Sequence, residues 1–389
     1  MVTQQENDVM TRIGPGTPAG TLLRRYWHPI CPAAELSDDQ PKKRVRMLGE
    51  ELLLFRDGQG RVGLIPEQCP HRRASLFYGF VEDDGIRCAY HGWKFDTART
   101  CIEQPFEPAN TPLKGDVCPS DYVVEKLAGL YWAYMGPKPA PLLPRWEALV
   151  GTEGQRRIQV VPLINANWLQ IMENSVDTTH THYLHAHMSV MLGMKERGSY
   201  HGRPLKAYDF EVVKDDVWSG IRKIRVWGGK DGERELGHPL IFPHILLAPQ
   251  QEHIVMHFRL PVDDTHTQVF RMQYTPGTDT KDMDWDNPPV DYFPPLKHAN
   301  GEYDLRTFTG QDAMAWETEG PIVDRTKELL GVSDRGITLY RKMLNEQIAA
   351  VQAGKEPLGL IRDPAQNRQI TVKVSEGQAR MARKMKQAV

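Results

Sequence analysis

Cys69-Pro70-His71-Arg72 and Cys88-Ala89-Tyr90-His91-Gly92-Trp93 are the two stretches from which the rest of this chain is read; sixteen residues lie between His71 and Cys88. Each stretch supplies one thiol and one imidazole, close enough in sequence to reach a common metal group. A structural zinc ion accepts the same four ligands, but its usual spacing puts both cysteines on one loop and both histidines on the other. One of each from each loop is what a two-iron, two-sulfur cluster with mixed ligation needs. Two thiolates hold one iron and two imidazoles the other, which raises the potential above that of an all-cysteine cluster. Gly79 and Gly85 predict turns between the loops, and Gly92 and Trp93 predict close backbone approach and shielding.

The surrounding chain has 389 residues, 25% charged and 40% hydrophobic, with a formal net charge of −2. That length allows two ordinary domains. The charge balance lacks the basic face of a nucleic-acid-binding protein. No run approaches the roughly 18 apolar residues of a membrane span, and Met1–Asp8 is polar, without a signal-peptide core. A cytoplasmic location is the expectation. Five cysteines (Cys31, Cys69, Cys88, Cys101 and Cys118) all fall in the first third. An odd, scattered count is not a disulfide framework, so Cys31, Cys101 and Cys118 are expected as buried thiols and metal–sulfur chemistry is assigned to an N-terminal domain.

Residues 1–30 read as a helical arm, with Thr17 capping a short helix that has Pro18 at its first position. From Lys43 to about Met135 the apolar runs are strand-length: 45–48, 51–56, 62–65, and a closing strand over 127–136. They predict a small β-barrel or sandwich over 31–140, followed by a proline linker at Pro137, Pro139, Pro141 and Pro144. The C-terminal half, 141–354, reads as a helix near 167–177, strands over 218–227, 240–247, 254–260 and 268–274, then a helix over 317–352 interrupted near Gly331. That is an α+β pattern. The tail 355–389 is polar and basic.

A second candidate centre lies in Asp177-x-x-His180-x4-His185. Mononuclear non-haem iron uses two histidines and one carboxylate on one face, leaving the other for O2 and substrate. Residues five apart do not stack on an ideal α-helix, so the helix is expected to end or bulge between His180 and His185. His182 and His187 share the segment, and spacing alone does not choose the pair.

Taken with these motifs, the chain resembles the ring-hydroxylating Rieske oxygenases of the phthalate dioxygenase branch. The cluster stretches, Asn167-Trp168, Asp177-x2-His180-x4-His185, Gly14–Pro18 with Arg24–Pro29, and Gly320–Thr326 with Ser333-Asp334 carry that resemblance. It implies an all-β Rieske [2Fe–2S] domain followed by a catalytic domain of helix-grip (START/Bet v1-like) fold, with a curved antiparallel sheet. It implies that His180 and His185 bind Fe(II), and that Asp177 bridges to the Rieske domain of a neighbouring subunit. Asn174 then lies beside the iron, with a helix-end hydrogen bond as its competing role. The iron carboxylate falls early in the last long helix, where Gln311–Glu317 matches, and the role is carried to Asp312; Glu317, Asp304 and Asp324 are its competitors.

The resemblance further implies O2 as co-substrate and electrons from NAD(P)H through a separate reductase with flavin and iron–sulfur centres; this chain has no Gly-x-Gly-x-x-Gly turn of its own. An aromatic carboxylate is the expected substrate, undergoing dihydroxylation, monohydroxylation or oxidative O-demethylation in a homotrimer or a multiple of it. Arg197, Arg203, Arg222 and Arg225 are the candidates for a guanidinium fork on that carboxylate. An electron-transfer protein without the second iron, and a helix-grip binding protein without turnover, are the competing classes.

Overall fold

The structure, a computed structural model, describes residues 2–108, 122–194, 205–215, 217–228, 234–248 and 252–372. Cys118, Arg197, Arg203 and the last part of the tail lie outside the described residues.

Three small antiparallel sheets make the N-terminal half. They run His28–Pro32, Leu130–Tyr134, Val123–Leu127; Lys42–Met47, Glu50–Arg56, Val62–Pro66; and Phe80–Glu82, Gly85–Arg87, Lys94–Phe95, Cys101–Glu103. In Lys42–Met47 the alternation is plain: Arg44 and Arg46 face solvent while Val45 and Met47 are buried, as a half-buried strand requires. The expected closing strand over 127–136 is instead two strands joined at Ala128-Gly129, both with positive φ (54° and 75°). Two left-handed residues in succession make the hairpin turn whose twist matches its strands. Gly79 closes a turn and Gly85 follows one, neither with left-handed backbone. Gly79 is extended (φ −72°), ending a short 3-10 turn. Gly85 lies in a strand, where a Cβ would come 2.1 Å from the Phe95 carbonyl oxygen.

The Ala128-Gly129 turn and the Leu48-Gly49 turn between Lys42–Met47 and Glu50–Arg56 dock on the C-terminal half. Leu48 and Gly49 donate their N–H groups to Pro261 O and Val262 O, each at 2.9 Å. A Cβ at Gly129 would meet Pro288 Cδ at 2.4 Å. The helices of the arm, Gln4–Thr11 and Pro18–Leu23, also belong to this seam. Thr17 caps the second as expected, accepting from Gly20 N–H. Asn7 donates to Val323 O, and Ile13 N–H to Asp264.

The C-terminal half is built on a nine-stranded sheet in the order Leu205–Lys214, Ser219–Trp227, Leu240–Ile241, Ile245–Leu247, Ile254–Asp263, His266–Pro276, Gly154–Val160, Val290–Tyr292, with Arg234–Leu236 pairing beside Ser219–Trp227. Its pairs are antiparallel except the edge pair Gly154–Val160 with Val290–Tyr292, so the sheet is mixed rather than wholly antiparallel. The expected strand 240–247 is broken at Phe242–His244, where Pro243 lacks the N–H a ladder needs. The strand Gly154–Val160 has no apolar run to announce it; its buried residues Gly154, Arg156 and Ile158 simply alternate.

Pleating divides the chemistry of this sheet. Phe258 packs edge-on against Trp132 of the N-terminal half at 4.9 Å. Its neighbours Arg259 and His257 point to the other face, where Arg259 reaches Ile171 O and Ser175 Oγ of the helix Trp168–Val176. Lys223 is on that face too, donating to Ser175 O at 2.7 Å. The expected helix over 317–352 is two helices, Phe308–Thr318 and Arg335–Gln352, separated by 3-10 turns at Arg325–Lys327 and Val332–Asp334. Gly320 (φ 96°) and Pro321 end the first. The start of the tail is pinned: Leu142 N–H donates to Ile361 O and Ile370 N–H to Arg145 O.

Candidate metal centres

The two Cys/His loops are closed by the same pair of hydrogen bonds. Cys69 N–H donates to Ala74 O and Arg73 N–H to Cys69 O; Cys88 N–H donates to Trp93 O and Gly92 N–H to Cys88 O, all between 2.8 and 3.0 Å. The residue at the same place in each loop is left-handed, Arg73 (φ 65°) and Gly92 (φ 74°). Each loop therefore turns its cysteine inward, and both thiols are buried in one small core with Leu76, Ile86 and Trp93. The His71 and His91 rings meet edge to face, 4.6 Å between centroids. Trp93 lies flat on His71 at 4.5 Å, the shielding expected of it.

This pocket fits a metal–sulfur group. Burial and the neighbouring Cys88 thiol push Cys69 up to about 11, so two thiolates here require a compensating positive charge. His71 Nδ1 is buried with no hydrogen-bond partner among the described residues. Cys31 and Cys101 are buried thiols.

The second site begins with the Trp168–Val176 helix. Asn167 caps it through Oδ1 on Leu169 N–H, and Asp177, extended at ψ 124°, ends it. The chain re-enters helix at His180, and Thr181–His187 is a π-helix. Its i→i+5 bonding widens the turn, so residues five apart come to one face. Of the two outcomes expected from the His180/His185 spacing, an end or a bulge, this is the bulge. Their ring centroids are 5.1 Å apart.

Asp312 arrives from the helix Phe308–Thr318, not from the last long helix where it was expected. A donor atom of His180, one of His185 and one of Asp312 all lie within 4.8 Å of one another. His185 Nε2 is 3.2 Å from Asp312 Oδ1. Burial would raise the Asp312 carboxyl, but the His185 and His180 rings outweigh it and hold it low. His180 Nδ1 is buried and lies 3.5 Å from Asp177 Oδ2. Asp177 is likewise held well below the usual carboxylate range: burial opposes this, and His180 with the Thr179 hydroxyl and N–H overcomes it.

The other candidates are placed elsewhere. His182 Nδ1 is 3.3 Å from the Tyr208 hydroxyl, and His187 is exposed. Glu317 is engaged by Asn165, Lys297 and Tyr303. Asp324 caps the Arg325 turn, and Asp304 is 4.0 Å from His298. Asn174 is half-buried in the last helical turn, where its carbonyl accepts from Asp177 N–H. Arg222 pairs with Glu211, away from the sheet's inner face; Arg225 is buried and lies 3.7 Å from Glu235.

Several groups around the site escape sequence reading. Arg271 donates to Thr309 Oγ1 in the first turn of the Asp312 helix. Burial depresses it to about 10 against the pull of Asp312. Arg259 is driven to about 9 in the same way, and Lys223 to about 7, first by burial and then by Arg225. His257 is pushed well below the imidazole range by burial and then by Arg271. The available signal is charge at inward positions of otherwise apolar strands, legible only once the faces are known. Beneath them, Glu173 is gripped by Arg325 (2.7 Å) and Arg341, both buried.

Comparison with known proteins agrees with this architecture. Residues 26–119 match the Rieske [2Fe-2S] domain family, and residues 296–380 the family described as LigXa C-terminal domain like. The chain is 38% identical over 379 residues to the 5,5'-dehydrodivanillate O-demethylase oxygenase subunit of a Sphingobium species, covering 95% of this chain and 86% of that protein. It is 32% identical to the phthalate 4,5-dioxygenase oxygenase subunit of Pseudomonas putida, covering 92% and 89%. Among solved structures, the oxygenase of a carbazole 1,9a-dioxygenase oxygenase–ferredoxin complex shares the fold at TM-score 0.64 and 18% identity, covering 89% of this chain and 93% of that one. Pseudomonas putida CBB5 NdmA with caffeine does so at 0.63 and 20%, covering 85% and 93%. The chain belongs to the Rieske non-haem iron oxygenases, as an oxygenase subunit of the phthalate dioxygenase-like branch, with the N-terminal [2Fe–2S] domain and C-terminal helix-grip domain that define them.

Proposed function

We propose that this subunit oxidises an aromatic carboxylate with O2, using electrons from a separate NAD(P)H-dependent reductase with flavin and iron–sulfur centres. The observation that carries the reading is the convergence of His180, His185 and Asp312 donors within 4.8 Å in a chain that also holds the Cys/His loops. Cys69 and Cys88 would hold one iron of the cluster, and His71 and His91 the other. His180, His185 and Asp312 would hold Fe(II), which supplies O2 activation when bound. The convergence favours this over an electron carrier without a second iron, or a binding protein without turnover.

The chain's own residues set the stage for that chemistry. Asp177 orients His180 and, in a homotrimer or a multiple of it, would reach His91 of the partner subunit, giving a short hydrogen-bonded path between the two centres. Asn174 stands one turn before Asp177 on the same approach. Arg225, Arg259, Arg271 and Lys223 make the inner face of the sheet cationic, which suits an anionic ring substrate. Domain limits at 1–30, 31–140, 141–354 and 355–389 are part of the same proposal, as is a cytoplasmic location. No helix among the described residues is long and apolar enough to cross a membrane.

Relatives named as an O-demethylase and a dioxygenase support oxidative O-demethylation and dihydroxylation, and monohydroxylation is the third reaction to be distinguished. The test is a panel of phthalates, halobenzoates, phenoxybenzoates and methoxybenzoates with a generic reductase, NAD(P)H and O2. Product mass distinguishes a gain of two oxygens, a gain of one, or a loss of CH2. Iron analysis accompanies it: about three iron atoms per chain are expected, two in the cluster and one mononuclear. Two per chain, or no substrate-dependent NAD(P)H and O2 consumption, would overturn the reading.

A further inference from the structure

The residue before the candidate iron carboxylate also touches one of the candidate iron imidazoles. Gln311 Oε1 is 2.8 Å from His185 Nδ1, while the next side chain, Asp312, faces Nε2 of the same ring. Two consecutive helical residues therefore clasp opposite edges of one imidazole. Gln311 is fully buried (0% exposed).

The orientation of the Gln311 amide follows from its other contact. Its far atom is 2.8 Å from the Leu305 carbonyl oxygen. A carbonyl oxygen only accepts, so that atom is the amide nitrogen. The amide oxygen therefore faces His185. An amide oxygen also only accepts, so His185 Nδ1 carries the proton. In the neutral ring Nε2 is then left with its lone pair on the Asp312 side, as metal ligation requires.

Gln311 is itself held firmly. Its N–H donates to Thr307 O at 3.0 Å, Thr307 Oγ1 caps the helix on Gly310 N–H, and Leu305 N–H is tied back to Tyr303 O. His180 is oriented differently, by the Asp177 carboxylate at 3.5 Å. One imidazole thus has an anionic and more distant partner, and the other a neutral, short and rigid one.

We propose that Gln311 is a positioning residue that locks His185 in its Nδ1–H tautomer and so sets the affinity of the His180/His185/Asp312 site for its metal. The proposal rests on those three residues being the metal ligands. Orienting partners of metal-bound histidines are worth about 10–100-fold in metal affinity.

The test uses the full-length holoenzyme and reads metal retention, not turnover. Wild type, Gln311→Leu and Gln311→Glu are dialysed to equilibrium against a graded Fe(II) chelator, and residual iron is counted. The Rieske electron-paramagnetic-resonance signal and the melting temperature report the fold. Gln311→Leu removes the acceptor on His185 and the donor to Leu305. Gln311→Glu keeps an acceptor on His185 and loses only the donor. The positioning role predicts that Leu weakens retention of the mononuclear iron by about 10–100-fold, while Glu stays close to wild type and the Rieske signal is unchanged in both. A role confined to bracing Leu305 predicts the same defect in both variants, which would overturn the proposal. So would wild-type retention in Gln311→Leu. If Gln311→Leu does not fold, Gln311→Glu decides: near-wild-type retention supports the proposal and a tenfold loss overturns it. Failure of the metal-site reading is distinguishable, because wild type would then hold no mononuclear iron.

Discussion

Replacing Glu173 by Gln should cost more than any surface change in this chain. Glu173 is buried and accepts from Arg325 Nη2 at 2.7 Å, from Arg325 Nε at 3.1 Å and from Arg341 Nε. Burial would raise its carboxyl, but the Arg325 and Arg341 guanidiniums outweigh burial and hold it low. The amide is nearly the same size, so the loss is electrostatic. Arg341 keeps its two bonds to Glu328, at 2.7 and 2.9 Å. Arg325 keeps only neutral acceptors, Asn7 Oδ1 at 3.0 Å and Val323 O at 3.4 Å. Removing one partner of a buried pair costs about 3–5 kcal/mol; with Arg341 still paired, the low end, about 3 kcal/mol, is expected. For a domain of this size that corresponds to a fall in Tm of roughly 6–12 °C. Calorimetry measures it, with the visible circular dichroism of the cluster reporting the N-terminal domain separately. A second arm, Glu173→Leu with Arg325→Met, removes both the anion and the stranded cation and should recover part of the loss. A fall under about 2 °C for Glu173→Gln would refute the assignment of this carboxylate as the buried counter-ion joining the arm, the Trp168–Val176 helix and the C-terminal helix.

Other expectations follow from the same geometry. His28 and His244 stack at 4.3 Å in the core, and burial lowers both, His28 to about 4. A depressed folded pKa favours the neutral ring, so this stability is complete above about pH 6.5 and is lost as pH falls toward 4. For His28 it amounts to about 3 kcal/mol. Melting temperature against pH should therefore fall more steeply in wild type than in His28→Gln; parallel curves would contradict it. Asp177→Asn should lower reductase-coupled turnover by roughly 10–100-fold with iron content unchanged; turnover at the wild-type rate would remove Asp177 from the electron path. Asp312→Ala should lose about one iron atom per chain while keeping the Rieske spectrum, checked by metal analysis beside visible absorbance.

The cluster loops were legible because all their information is local. A cysteine and a histidine two or three residues apart lie on one turn wherever that turn goes, and Gly92 and Trp93 announce the backbone and shielding that the loops need. Once likeness had picked His180 and His185, their five-residue spacing called for a helix that ends or bulges, and the structure supplies a π-helix over Thr181–His187.

Other features depended on the chain returning from a distance. Asp312 meets His185 only because the Phe308–Thr318 helix, an element separate from the final long helix, folds back onto the π-helix. The sequence alone placed Asp312 by likeness, with Glu317, Asp304 and Asp324 as rivals; tertiary contacts engage Glu317 with Lys297 and Tyr303 and leave Asp312 facing the histidines. The cations of the inner sheet face, Lys223, Arg259 and Arg271, were invisible as a group because strand parity assigns a side chain to a face only once the partner strands are known. The clasp of Gln311 and Asp312 on one imidazole is of the same kind, since adjacent letters say nothing about a ring that reaches them from residue 185. Local spacing and likeness nominated the residues with the chemistry to hold metal. Long-range packing decided which of them share a site, because bringing distant segments together is governed by burial of faces rather than by spacing along the chain.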